Sequence, residues 1–426
     1  MPFPTPFHER TKALCSSYAW KEWAGYYSVA HFDSCQEPEY MAFRHSAGLL
    51  DVTPLYKYDV TGPDAAAFLA RVMVRDIRKL KPLQVTYACW CDGYGKVIDD
   101  GTITRLEDEH FRVTAAAPTY EWLDRHSRGF NVKIEDTSRK IGALALQGPR
   151  SRDILKEVVK GVDMDKLRFF RAGRGKIGGF DVVVTRTGYT GDLGFEVWTE
   201  NEHCLGLWDA LMKAGKPHGL LAAGLDALDM ARVESGFIML DVDYFSSRDC
   251  IIESRKSTPY EIDLGWTVNL DREPFIGREA LVREKKEGSI WSFVGLEIDW
   301  PEFESLFDRY DLPPQVPGSA WRTAVPIYAD GQHAGQATSG SWSPILKKNL
   351  ALATVRSEYA AVGTELQIEI TAEYVRHQIT ARVVKKPFFD PARKWSTPGL
   401  PAKKKSAASQ PAKSAKAVSK GVVSTK

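Results

Sequence analysis

Thr187-Gly188-Tyr189-Thr190-Gly191-Asp192-Leu193-Gly194-Phe195-Glu196-Val197-Trp198 decides how this chain is to be read. The run Phe180-Asp181-Val182-Val183-Val184-Thr185 before it is strand-like, so the two stretches together predict a strand, a tight turn and a second strand. Three glycines in the turn allow close approach of the backbone to a ligand. Glu196 stands between bulky apolar residues, where a carboxylate needs a partner. A flat heterocycle with N–H donors is one such partner. A hairpin with a solvent-facing glutamate fits the same residues.

Working outward, Asp92-Gly93-Tyr94-Gly95 separates strand-like runs at 85–91 and 96–105 and predicts a hairpin, followed by a strand at 110–115. In that hairpin only one of Asp99 and Asp100 can face a given pocket, since neighbouring side chains on a strand point oppositely. Asp100 shares its face with Ile98, and a carboxylate there has a raised pKa unless paired. Such a group suits the positioning or shuttling of an amine proton, although an acid pair in solvent also fits. Tyr87, thirteen residues earlier on the partner strand, can reach the same pocket as an aromatic wall.

Asp64 is placed to cap a helix over 65–72, and helices are predicted over 118–127, 150–159, 203–214 and 223–236. Strands and helices alternate without a strict βαβ rhythm, which predicts α+β with antiparallel pairing. From about 291 short strands with Gly and Pro turns predict a small all-β domain. Within it, 299–322 is rich in Pro, Asp and aromatics and reads as a long surface loop.

The 426 residues exceed one core, so two or three domains are expected. The formal charge of +2 rests on seven lysines after residue 400, without which it becomes −5. The body is therefore mildly acidic, which argues against a nucleic-acid surface, and the Ala/Lys/Ser/Pro-rich end predicts a disordered basic tail over 391–426. Six cysteines in a chain this long are no disulfide framework. Cys89 and Cys91 share a strand face, but no second pair completes a metal site, so none is expected. Met1–Thr5 lacks the features of a signal peptide and no apolar run reaches about 18 residues, so a cytoplasmic protein without membrane contact is expected. Gly173-Arg174-Gly175-Lys176-Ile177-Gly178 matches GxGxxG but leads into a strand, which predicts a hairpin turn rather than a dinucleotide site.

The Gly-Tyr-Thr-Gly…Gly-Phe-Glu run at 188–196 resembles the signature of the folate-binding aminomethyltransferases, the T-protein family of the glycine cleavage system. So do Leu146-Gln147-Gly148-Pro149, the Asp99-Asp100 hairpin, Ala231-Arg232-Val233-Glu234, Leu264-Gly265-Trp266, Phe275–Leu281, Ser341–Asn349 and Val384–Asp390. The order is collinear from about 40 to 390. The resemblance implies a three-domain α+β fold around a channel for tetrahydrofolate, with residues 1–290 as two interleaved subdomains and 291–390 as a small C-terminal β-barrel. It implies that Glu196 binds the pterin edge with Tyr189 and Arg232 nearby, and that Tyr87 flanks the ring. Leu55 would stand where the family usually has methionine, and Asp100 near the folate nitrogens. The reaction implied is aminomethyl transfer from a lipoyl carrier protein, giving methylenetetrahydrofolate and ammonia.

The chain also departs from the pattern. Asp51-Val52-Thr53-Pro54-Leu55-Tyr56 lacks the family's histidine, Thr114-Ala115-Ala116-Ala117 lacks both asparagines, and Asp226-Ala227-Leu228-Asp229 lacks an arginine. A folate end kept and a donor end rebuilt also fits a tetrahydrofolate-dependent demethylase of an O-, S- or N-methylated small molecule. A non-catalytic folate-binding accessory protein is the third reading. The oligomeric state is not legible.

Overall fold

The computed structural model describes residues 1–399. Three large sheets, beside a two-stranded one of Ala19–Trp23 and Tyr26–His31, organise them. The strands Gln84–Cys91, Val97–Glu107, His110–Ala115, Tyr56–Thr61 and Lys133–Asp136 form a five-stranded antiparallel sheet. This sheet is built from chain inserted between Ala47–Asp51 and Ile141–Gln147, which are neighbours in a second, six-stranded sheet. Phe180–Thr185 and Gly194–Glu200 pair there antiparallel, Val184 opposite Val197 and Thr185 opposite Glu196, as the alternation predicts. Leu220–Ala222 adds one parallel edge. Six strands from Trp291–Ile298 to Val375–Val384 close the third sheet into a barrel. The α+β architecture with a C-terminal barrel is therefore present.

Helix Leu225–Glu234 is the axle. All ten of its residues are buried although four are charged, because every charge finds a partner. Asp226 takes Lys21 and His31, Asp229 takes Arg232 and Arg322, and Glu234 takes Arg44. Burying a charge unpaired costs several kcal/mol per ion, so this helix is stable only inside its ring of partners. It packs on helix Glu37–His45, strand Tyr26–His31 and the barrel strands Gln332–Ser343 and Lys348–Arg356.

Several expectations need correction. The stretch 299–322 is not simply a surface loop. Trp300–Asp308 is a helix whose N-cap Asp299 accepts the Glu302 N–H at 3.0 Å, with Pro301 in its first turn. Phe303, Leu306 and Phe307 are 2% exposed or less and fill the barrel core. Asp64 does not cap its helix; its carboxylate accepts the Asn131 N–H at 2.8 Å. Gly173–Gly178 is not the hairpin turn itself, since Ala172–Ile177 is a strand and the turn is Gly178-Gly179, both at positive φ. Of the tail expected over 391–426, residues 400–426 lie outside the described residues. The part before them is docked: the Arg186 guanidinium donates to the carbonyls of Arg393, Lys394 and Ser396 and to the Thr397 hydroxyl. Among the described residues no helix is long and apolar enough to cross a membrane.

Candidate functional site

The turn of 186–193 is shaped by a side chain rather than by a ligand. A Cβ on Gly188 or Gly194 would meet the Gln147 carboxamide at 2.0 and 2.1 Å. Gln147 donates to the carbonyls of Thr187 and Phe195 at 3.3 and 3.2 Å and accepts the Thr190 hydroxyl at 2.9 Å. Gly191 is at φ +75°, and a Cβ there would reach Ser235 Oγ at 1.9 Å. The glycines therefore admit Gln147 and the end of the axle helix.

Glu196 is half-buried on its strand. One carboxylate oxygen accepts the Thr187 and Thr185 hydroxyls at 2.8 and 3.3 Å. Burial pushes its pKa up and the two threonines draw it back. Leu55, half-buried, packs with Val183, Tyr189, Trp198 and Leu228 in one apolar cluster. Leu228 thus stands in this cluster where the family's arginine is missing.

Asp100 and Tyr87 are in direct contact, as their spacing predicts. Both oxygens of Asp100 accept tyrosine hydroxyls, one from Tyr87 and one from Tyr244. Asp99 is fully buried, and it too is reached by the Tyr244 hydroxyl, at 3.4 Å. It accepts the N–H groups of Ala116 and Ala117 at 3.1 and 2.9 Å, and so fixes the chain where the family's asparagines are absent. Burial holds both carboxyl pKa values above the ordinary range; mutual repulsion adds to this at Asp99, and the tyrosine hydroxyls oppose it at Asp100. Tyr87 and Tyr244 are pushed up by burial and then by the Asp100 charge, so both phenols stay protonated as donors.

Arg232 is fully buried and donates to Asp229 at 2.7 Å, Asp243 at 2.6 Å and the Phe237 carbonyl at 3.3 Å. Among the described residues its Nη2 has no hydrogen-bond partner. Tyr189 donates to the Ile238 carbonyl and stacks on Phe237 at 5.4 Å.

These contacts expose an organiser that the sequence reading missed. Residues 237–244 receive Tyr189 and Arg232 on their backbone, hold Arg232 through Asp243, and reach Asp100 through Tyr244. The segment has no helical or strand periodicity, so no local signal marks it. Trp266 was also missed as a site residue; it stacks on Tyr87 at 6.2 Å and 15°. The structure thus joins Asp100 and Tyr87 directly and links them to Tyr189 and Arg232 through 237–244. Leu55 and Tyr189 pack against the same apolar cluster. Glu196 lies on the same sheet, with no direct bond to the others.

Two other places are less suited to chemistry. A surface cavity of about 280 Å³ lies between Phe3–Pro6 and Thr53, Ser138, Arg139 and Asn201, and none of the residues above lines it. Cys89 and Cys91 are fully buried, and burial holds the Cys91 thiol well above its ordinary pKa.

The model of the GCVT N-terminal domain matches residues 5–272, and that of the glycine cleavage T-protein C-terminal barrel domain matches 314–390. An aminomethyltransferase of Caldanaerobacter subterraneus subsp. tengcongensis is 32% identical over 373 residues, 86% of this chain and 91% of that protein. An aminomethyltransferase of Clostridium botulinum is 34% identical over 374 residues, 86% of this chain and 92% of that protein. In fold, the chain matches the crystal structure of the glycine cleavage system aminomethyltransferase T from Bartonella henselae at a TM-score of 0.77 and 23% identity, over 92% of this chain and 99% of that one. The chain belongs to the glycine cleavage T-protein family of aminomethyltransferases.

Proposed function

We propose that this enzyme takes an aminomethyl group from a lipoyl carrier protein and gives it to tetrahydrofolate. In that transfer the carbon–sulfur bond to the carrier and the carbon–nitrogen bond to ammonia break. Two carbon–nitrogen bonds to the folate form, and the carrier thiol, ammonia and methylenetetrahydrofolate leave. Tetrahydrofolate supplies the two nucleophilic amines. The observation that carries the reading is Asp100: a carboxylate of raised pKa, held between two protonated tyrosines, one of which, Tyr244, belongs to the segment that also holds the buried Arg232.

The other residues fit a pterin. Arg232 Nη2 is a buried donor without a partner among the described residues, suited to a ring carbonyl. The half-buried Glu196 carboxylate suits a ring N–H edge. Tyr87, Tyr189 and Leu55 supply flat and apolar walls. In this reading residues 1–290 hold the folate and 291–390 close over it. Asp100 holds or moves a proton at the folate amine. Holding donor carbon against acceptor nitrogen supplies most of the remaining acceleration.

The test is anaerobic incubation with tetrahydrofolate and aminomethylated carrier protein, with mass analysis of the folate product. Methylenetetrahydrofolate is expected. Product from methylated small molecules and none from the carrier would overturn the donor assignment.

A further inference from the structure

Among the described residues Arg75 has no anionic partner, at a place where every nearby acid is taken. Asp76 is paired with Arg78 at 2.8 Å and with Lys79 at 3.7 Å, and Glu273 with Arg78 at 2.5 Å. Both Asp100 oxygens are occupied by tyrosines. Among the described residues, the Arg75 side chain makes one hydrogen bond, a long one of 3.4 Å to the Tyr87 carbonyl, and lies 5.3 Å from the centre of the Trp266 indole. It is half-buried, and burial, with no carboxylate to offset it, lowers its pKa. A guanidinium losing water without gaining an anion is unfavourable unless a ligand completes it.

Its surroundings are rigid and face the site. Val74 N–H donates to the Cys89 carbonyl at 3.1 Å, Asn269 N–H to the Val74 carbonyl at 3.0 Å, and Asp76 N–H to Asn269 Oδ1 at 3.0 Å. The backbone on both sides of Arg75 is thus pinned to the strand that carries Tyr87 and to the segment just after Trp266. Trp266 is 51% exposed while its ring lies parallel to that of Tyr87, whose hydroxyl holds Asp100. An exposed indole, an unpaired guanidinium and a site tyrosine therefore form a continuous rim leading inward to Asp100.

We propose that Arg75 and Trp266 form a carboxylate-binding subsite at the mouth of the site, with Arg75 taking the carboxylate and Trp266 the apolar body that carries it. The inference rests on the proposed function. The carboxylate has two possible sources: the glutamyl tail of tetrahydrofolate, or an acid on the carrier protein.

The experiment measures binding of tetrahydrofolate, and of tetrahydropteroate without the glutamate, to the wild type, Arg75→Gln and Arg75→Lys, together with the KM for the aminomethylated carrier. If the tail is bound, Arg75→Gln weakens tetrahydrofolate about tenfold, leaves tetrahydropteroate within about twofold, and Arg75→Lys restores part of the loss. If the carrier supplies the acid, both folates bind unchanged and the carrier KM rises by a similar factor. Equal weakening of both folates, or no change in any arm, overturns the subsite while leaving the function intact. A wild type that binds neither folate overturns the functional reading, and the subsite falls with it.

Discussion

In the proposed reading Asp100 and Glu196 divide the work, and their substitution separates it. Asp100→Asn keeps the shape but removes the charge and turns one of the two acceptor oxygens into an N–H donor, so that one tyrosine hydroxyl must accept instead. Turnover should fall about 10- to 100-fold while the tetrahydrofolate Kd stays within about threefold; unchanged turnover removes Asp100 from the mechanism. Glu196→Ala should weaken folate binding about tenfold, and unaltered affinity, by calorimetry, ends the pterin assignment. Lys57 offers a test through pH. It is fully buried, donates to the Thr53 and Leu55 carbonyls at 2.7 Å each, and burial lowers its pKa to about 7. The unfolded chain then binds more protons between about pH 7 and the ordinary lysine range near 10.4, so the lysine's contribution to stability rises with pH across that window. Lys57→Met should flatten the slope of Tm against pH between 7 and 9, even if its absolute Tm drops; parallel slopes refute the shift. The Tyr87–Asp100 contact was legible because spacing on a hairpin is enough to fix it. Tyr244 was not, since 144 positions separate it from Asp100 and only tertiary folding brings them together.

The elements show a similar division. The hairpins were readable from alternation and Asp-Gly chemistry. Helix Leu225–Glu234 was readable as a helix, but not its burial, which follows from partners scattered from Lys21 to Arg322. Glu234 is the sharpest case: it accepts Arg44 at 2.6 and 3.0 Å and also the hydroxyls of Tyr40 and Ser343. Glu234→Gln leaves the buried Arg44 guanidinium with only the more distant Asp192 carboxylate, at 3.8 Å, and should lower the unfolding free energy by about 3 kcal/mol, measured by denaturant titration; a loss under about 1 kcal/mol would mean the pair is a weak one. Helix Trp300–Asp308 was missed although its start signals, Asp299 and Pro301, were present. The richness in Pro, Asp and aromatics outweighed them, and aromatics spaced for a barrel core looked like loop residues.

At the scale of the whole molecule, the barrel and the C-terminal segment complete the site instead of merely following it. Asp243, which holds Arg232, also accepts the Thr338 and Ser339 hydroxyls of a barrel strand at 2.5 and 2.9 Å. Arg393 grips Asp192 of the signature turn at 2.6 and 2.7 Å. Deleting residues 400–426 should change neither Tm nor folate affinity. Deleting 391–426 strips the fully buried Arg186 of four acceptors and should lower the Tm by several degrees and weaken folate binding; equal behaviour of the two truncations would show the clamp to be inert. Collinear motifs were enough to expect the three-part architecture, but not the wiring between its parts, which runs through residues with no local pattern.

The Arg393–Asp192 clamp has a consequence for how the protein is made. The signature turn leaves the ribosome long before its clamp exists. Throughout synthesis of the barrel, Asp192 lacks Arg393, and Glu234 waits for Ser343. The emerging N-terminal half therefore holds Asp192 only through the more distant Arg44, at 3.8 Å, until the last segment arrives, and it should remain open to proteases and chaperones until translation is nearly finished. Chains stalled before residue 391 should be cleaved faster near the turn than chains stalled after 400; equal cleavage would mean that the turn sets without its clamp.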